Sequence, residues 1–73
     1  STEINYTVDH KGNMTIAVYN ILGQQITELY SGYQDLGSHK LVWNAENIPS
    51  GVYYVNISHE NGQSESMKAV LLK

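Results

Sequence analysis

Apolar and polar residues alternate with period two along most of the chain, and no stretch sustains the 3.6-residue apolar period of an amphipathic helix. Residues 3–8 put Ile4, Tyr6 and Val8 on one face, and residues 13–20 put Met14, Ile16 and Val18 on one face and Thr15, Ala17 and Tyr19 on the other. Between them, Asp9-His10-Lys11-Gly12-Asn13 reads as a turn, so the two runs predict a hairpin. Residues 20–24 form the next break, with Gly23 at the bend. The run over 25–33 is strand-like but irregular, because Ile26 and Leu29 share a face only across a bulge or a twist. Residues 31–38, with Gly32 and Gly37, are expected to form an exposed loop. Residues 39–44 alternate again, with Leu41 and Trp43 inward and Lys40 and Val42 outward. After a connection carrying Pro49, residues 51–59 align Tyr53, Val55 and Ile57. Asn61-Gly62 tolerates the positive φ of a tight hairpin turn, and the last run, 63–73, begins polar and ends in Ala69-Val70-Leu71-Leu72. Six strands with short turns predict an all-β sandwich.

Composition narrows the function classes. Seventy-three residues make one small domain, which buries only about 60% of its unfolded surface. Four Lys, no Arg and seven Asp plus Glu give a net charge of −3, the wrong sign for a nucleic-acid binder. No apolar run approaches the roughly 20 residues of a membrane span, and any export signal is expected outside this segment. The absence of Cys removes disulfides and thiolate chemistry. Only 15% of residues are charged; the polarity comes instead from seven Asn, four Gln, seven Ser and four Thr, a surface common on exported β-domains.

Candidate chemistry is sparse. His10, His39 and His59 lie in a turn, at a strand start and at a strand end, without metal-ligand spacing, and read as solvated surface groups. The turn over 9–13 has too few oxygen ligands for Ca²⁺. Glu28 and Glu46 imply no shared cleft, and there is no nucleophile elbow and no phosphate loop. No enzyme activity and no cofactor are expected. Tyr19, Tyr30, Tyr33 and Tyr54 are expected to reach solvent, where a row of rings stacks on sugars. Asn5, Asn13 and Asn56 head Asn-x-Ser/Thr sequons, which an Asn- and Ser-rich chain generates by chance.

Five segments in order carry a resemblance: Glu3-Ile4-Asn5-Tyr6-Thr7-Val8, then Met14-Thr15-Ile16-Ala17-Val18-Tyr19-Asn20-Ile21-Leu22-Gly23-Gln24, then Gly37-Ser38-His39-Lys40-Leu41-Val42-Trp43-Asn44, then Ile48-Pro49-Ser50-Gly51-Val52-Tyr53-Tyr54-Val55, and Met67-Lys68-Ala69-Val70-Leu71-Leu72-Lys73. Together they resemble the type A C-terminal sorting domain of proteins exported by the type IX secretion system of Bacteroidetes. The pattern is also similar to the immunoglobulin-like domain of the flagellar hook-capping protein. The resemblance implies an immunoglobulin-like antiparallel β-sandwich of six to seven strands and a cargo upstream on the same chain, with Lys73 at its natural end. It further implies an outer-membrane translocon and a sortase-like peptidase as partners, and passage through the periplasm to the outer-membrane surface or the medium. Cargo of this family is often linked to a surface lipopolysaccharide. The Asn-Pro-Phe-type segment that usually precedes the first strand falls outside this sequence.

Gly23 and Gly51 are expected as turn residues, and Trp43 opposite Tyr53 as the anchor of the core. A machine that handles unrelated cargo must read something constant, and the last strand is the expected signal. Met67, Ala69 and Leu71 fill the core in this reading, leaving Val70 and Leu72 as an apolar patch flanked by Lys68 and Lys73. An exposed edge also permits a dimer by strand pairing. The competing expectation is an accessory module, hook-cap-like or attached to a secreted hydrolase, with a glycan as ligand.

Overall fold

A computed structural model describes residues 2–72. Among them are six strands: β1 (Thr2–Val8), β2 (Gly12–Tyr19), β3 (Gln25–Gln34), β4 (Gly37–Trp43), β5 (Gly51–His59) and β6 (Ser64–Leu71). They form two antiparallel sheets, a pair β1-β4 and a four-stranded sheet in the order β3-β2-β5-β6. This is the predicted all-β sandwich, consistent with an immunoglobulin-like fold. The alternation becomes a core directly: Ile4, Tyr6 and Val8 from one sheet meet Met14, Ile16, Val18, Tyr53, Val55, Ile57 and Leu71 from the other.

The first two strands do not form the expected hairpin. β1 pairs with β4, and β2 pairs with β3 and β5. The turn at residues 9–11 carries the chain across the core from one layer to the other. Two alternating strands read alike whether they lie side by side or face to face, so their pattern does not distinguish the two arrangements.

Residues 31–38 are likewise not a loop. Ser31, Gly32, Tyr33 and Gln34 continue β3 opposite Thr15, Met14, Asn13 and Gly12, and only residues 35 and 36 separate β3 from β4. Gly32 serves the strand through its backbone, whose φ of 147° lies in the range that favours glycine; a Cβ there would stand 3.4 Å from the Tyr30 hydroxyl, in ordinary contact. Tyr30 itself packs one side against the core and is half-buried, its hydroxyl donating to the Tyr33 carbonyl at 2.5 Å. The irregularity of β3 has the expected cause, since the register with β2 slips at two places and leaves Leu29 and Ile26 as the unpaired residues.

Trp43 is 1% exposed and meets the Tyr53 ring edge-on, centroids 5.7 Å apart. The Tyr53 hydroxyl donates to the Pro49 carbonyl at 2.7 Å, tying β5 to the connection that precedes it. Tyr53→Phe should therefore cost about 1 kcal/mol in urea unfolding. Burial, and secondarily Tyr30, raises the Tyr6 phenol above its ordinary 10.0. The folded state thus favours the neutral phenol, a contribution present in full below pH 10.0 and lost as pH climbs through the raised value.

Candidate functional site

β6 is the outermost strand of the four-stranded sheet, paired with β5 alone. Its position is set by the turn before it. The His59 amide bonds the Gln63 carbonyl at 2.7 Å, the Gly62 amide bonds the His59 carbonyl at 3.0 Å, and the Asn61 side chain accepts from the Gln63 amide at 3.0 Å. Gly62 takes the positive φ of 92° that the expected Asn-Gly hairpin needs. From there the register with β5 runs unbroken from Ser58↔Ser64 to Gly51↔Leu71.

The two edges of this sheet differ. At the opposite edge, β3 is interrupted by its two bulges, a device that discourages another strand from pairing. β6 has no bulge and no Pro, so its free edge presents regular backbone donors and acceptors. Its inward side chains are Met67, Ala69 and Leu71, of which Leu71 is buried and the others half-buried. Its outward side chains include Lys68 and Val70, with Val70 54% exposed, and Leu72 just beyond the strand is 89% exposed. Lys73 lies outside the described residues.

The neighbours of this strand were not anticipated from the sequence. Val52 lies directly opposite Val70, and Tyr54 opposite Lys68, with Tyr19 opposite Tyr54 on the next strand. Counting back from the Asn61-Gly62 turn would have found the first two. Between β6 and the β4–β5 connection opens a cleft of about 510 Å³, lined in part by Thr2, Glu46, Val70 and Leu72.

The other candidates scatter. Gly23 is at the β2–β3 turn with φ 82°, and nothing lies within 4 Å of where its Cβ would be. Gly23→Ala should accordingly cost about 1 kcal/mol through backbone strain alone, read as a shift in the urea midpoint. Gly51 opens β5, where a Cβ would make only ordinary contact with the Tyr53 ring. His39 and His59 are not freely solvated as expected. His39 stacks on Tyr6 at 5.5 Å and its Nε2 sits 2.7 Å from the Asp35 carbonyl, while His59 is 3.9 Å from Glu65. Among the described residues no group of His, Cys, Asp and Glu is placed to hold a metal. The four tyrosines do not form a single row: Tyr19 and Tyr54 lie side by side on the outer face of the four-stranded sheet, Tyr33 is exposed as expected but lies farther along, opposite Asn13, and Tyr30 turns inward.

A family model described as "Secretion system C-terminal sorting domain" matches residues 2–72. The chain belongs to this family. It is therefore a sorting signal of type IX secretion, which implies a cargo on the same chain, the type IX machinery as reader, and secretion toward the cell surface or extracellular space. The family is one of signals and not of catalysts. Among curated proteins and among solved structures, none matches the chain significantly. Membership gives the regular edge of β6 its interest, because a sorting domain must offer its reader a surface that does not change with the cargo.

Proposed function

We propose that this domain directs an upstream cargo, by way of the periplasm, through the outer-membrane translocon to the surface or medium, and that the machinery reads it along β6. The observation that carries the proposal is a bulge-free edge strand bearing Val70 and Leu72 in solvent. A strand of the receptor adds to the free backbone of β6, and its side chains pack against Val70 and into the cleft beside Leu72. Lys68 supplies charge beside that patch, Lys73 follows it in the sequence, and inward packing of Leu71 fixes the register in which it is shown. In this reading the chain is part of a longer protein, and a sortase-like peptidase removes the domain after passage.

The test is a fusion of a signal peptide, a fluorescent reporter and this domain with its natural lead-in, produced in a host with the type IX system and in one lacking the translocon. Reporter outside the cell only in the competent host is the expected result. Periplasmic retention in both hosts would sink the proposal.

A further inference from the structure

The β2–β3 turn, residues 20–24, is held more firmly than a connection requires. The Asn20 side-chain oxygen accepts from the amides of Leu22 at 2.9 Å and Gln24 at 3.0 Å, and its amide donates to Gln24 Oε1 at 2.9 Å. Two backbone bonds close the same turn, from the Asn20 amide to the Gln24 carbonyl and from the Gly23 amide to the Asn20 carbonyl, each 3.0 Å. What this frame displays is Ile21 and Leu22, 72% and 78% exposed. Two adjacent aliphatic side chains at the tip of this turn bury little of their surface within the chain. Their ordering cost, however, is already met before any partner arrives.

The turn also has a place in the fold. Tyr19, Tyr54 and Lys68 form one row across the outer face of the four-stranded sheet, so the turn that follows Tyr19 stands at the same end as Val52, Val70 and Leu72. Ile21 walls a recess of about 370 Å³ on that face, shared with Tyr19, Tyr54, Asn56 and Ser66. On the polar floor of the recess the Asn56 side-chain amide donates to Ser66 Oγ at 3.1 Å and its oxygen accepts from the Ser58 hydroxyl at 2.8 Å. Lys68 is the single cation on the strands of this sheet, and among the described residues it makes no ion pair. The site thus offers a recess walled by Ile21 and the Tyr19 and Tyr54 side chains over a polar floor, with one positive charge beside it.

Resting on the sorting reading above, we infer that Ile21 and Leu22 form a second contact for the export machinery: a protein surface that inserts an apolar side chain beside Tyr54 and sets a carboxylate against Lys68. Charge complementarity selects this occupant. A second copy of the chain brings a net charge of −3 against another −3, which opposes pairing at low salt. Asn20 is a positioning residue here, acting only through the turn it holds.

The test uses the reporter fusion with the intact domain in the type IX host. Ile21→Ser/Leu22→Ser should lower exported reporter by about tenfold, as for loss of a packed apolar anchor, with the thermal melt unchanged. Asn20→Ala should lower it by less, because the apolar side chains remain but the turn loosens. A photo-crosslinking residue at position 22 should give an adduct that disappears when the translocon is deleted. Export of the double-serine variant within about twofold of the parent overturns the inference, as does absence of the adduct; the adduct decides if the variant melts early. A parent that dimerises through this turn, with the serine variant monomeric, also overturns it by naming the wrong occupant. If Val70→Lys/Leu72→Lys blocks export while the serine variant passes, the turn fails and β6 stands. If the parent is not exported, the sorting reading itself fails.

Discussion

Trp43→Ala is expected to leave the domain largely unfolded at room temperature. The indole is 1% exposed and joins the two sheets, lying edge-on to Tyr53 and in the same core as Ile4, Val55 and Leu71. Truncating a buried Trp costs about 3–5 kcal/mol in a site that collapses only partly. A domain of this size stands near the low end of the roughly 5–15 kcal/mol typical of folded proteins, so the loss consumes most of its stability. Trp43→Phe should cost distinctly less, for a reason specific to this site: Nε1 is buried with no acceptor, and phenylalanine removes that unpaired donor while keeping most of the ring. Urea unfolding followed by far-ultraviolet circular dichroism separates the two. A cooperative transition for Trp43→Ala at nearly the parent midpoint would show that the ring does not anchor the sandwich.

The fold was legible where it depends on one strand at a time. Period-two alternation identified the inward residues of β1, β2, β4 and β5, and the misfit between Ile26 and Leu29 marked the two residues that bulge. What it did not reveal was partnership. A strand's pattern states which face is apolar and is silent about its neighbour, so β1 was paired with β2 when it crosses the core to pair with β4. Gly32 misled because a glycine reads as a turn, whereas its φ of 147° is taken up here within a strand, opposite Met14.

The same distinction divides the candidate site. The outward direction of Val70 was readable from alternation; that β6 is an edge follows only from the order β3-β2-β5-β6. Ile21 and Leu22 escaped notice because a turn is read for the backbone freedom of residues such as Gly23. Whether its apolar neighbours are buried depends on what the rest of the fold places over them. Here nothing in the chain covers them to any great extent.

Val70→Lys/Leu72→Lys is expected to abolish export while leaving the domain folded, and this combination separates recognition from stability. Both side chains point to solvent, so charging them removes little burial, whereas Leu71 between them is 6% exposed and holds the strand to the core. The melt of the double variant should therefore stay close to the parent's, since exposed substitutions usually change stability by less than about 0.5 kcal/mol. Deleting residues 68–73 gives no such separation. It takes away Ala69 and Leu71 as well as the patch, and buried apolar side chains contribute roughly 1.5–3 kcal/mol each. Leu71→Ala supplies the complementary control: it weakens the core by about 2–5 kcal/mol while keeping Val70 and Leu72 in place, so export should track the folded fraction. Reporter in the medium, the periplasm and the cytoplasm is quantified for each variant alongside its dichroism spectrum. A folded lysine variant exported as well as the parent would remove the outward face of β6 from the signal. Recognition would then have to run through the backbone edge of the strand or through the β2–β3 turn, whose serine variant tests that remaining route.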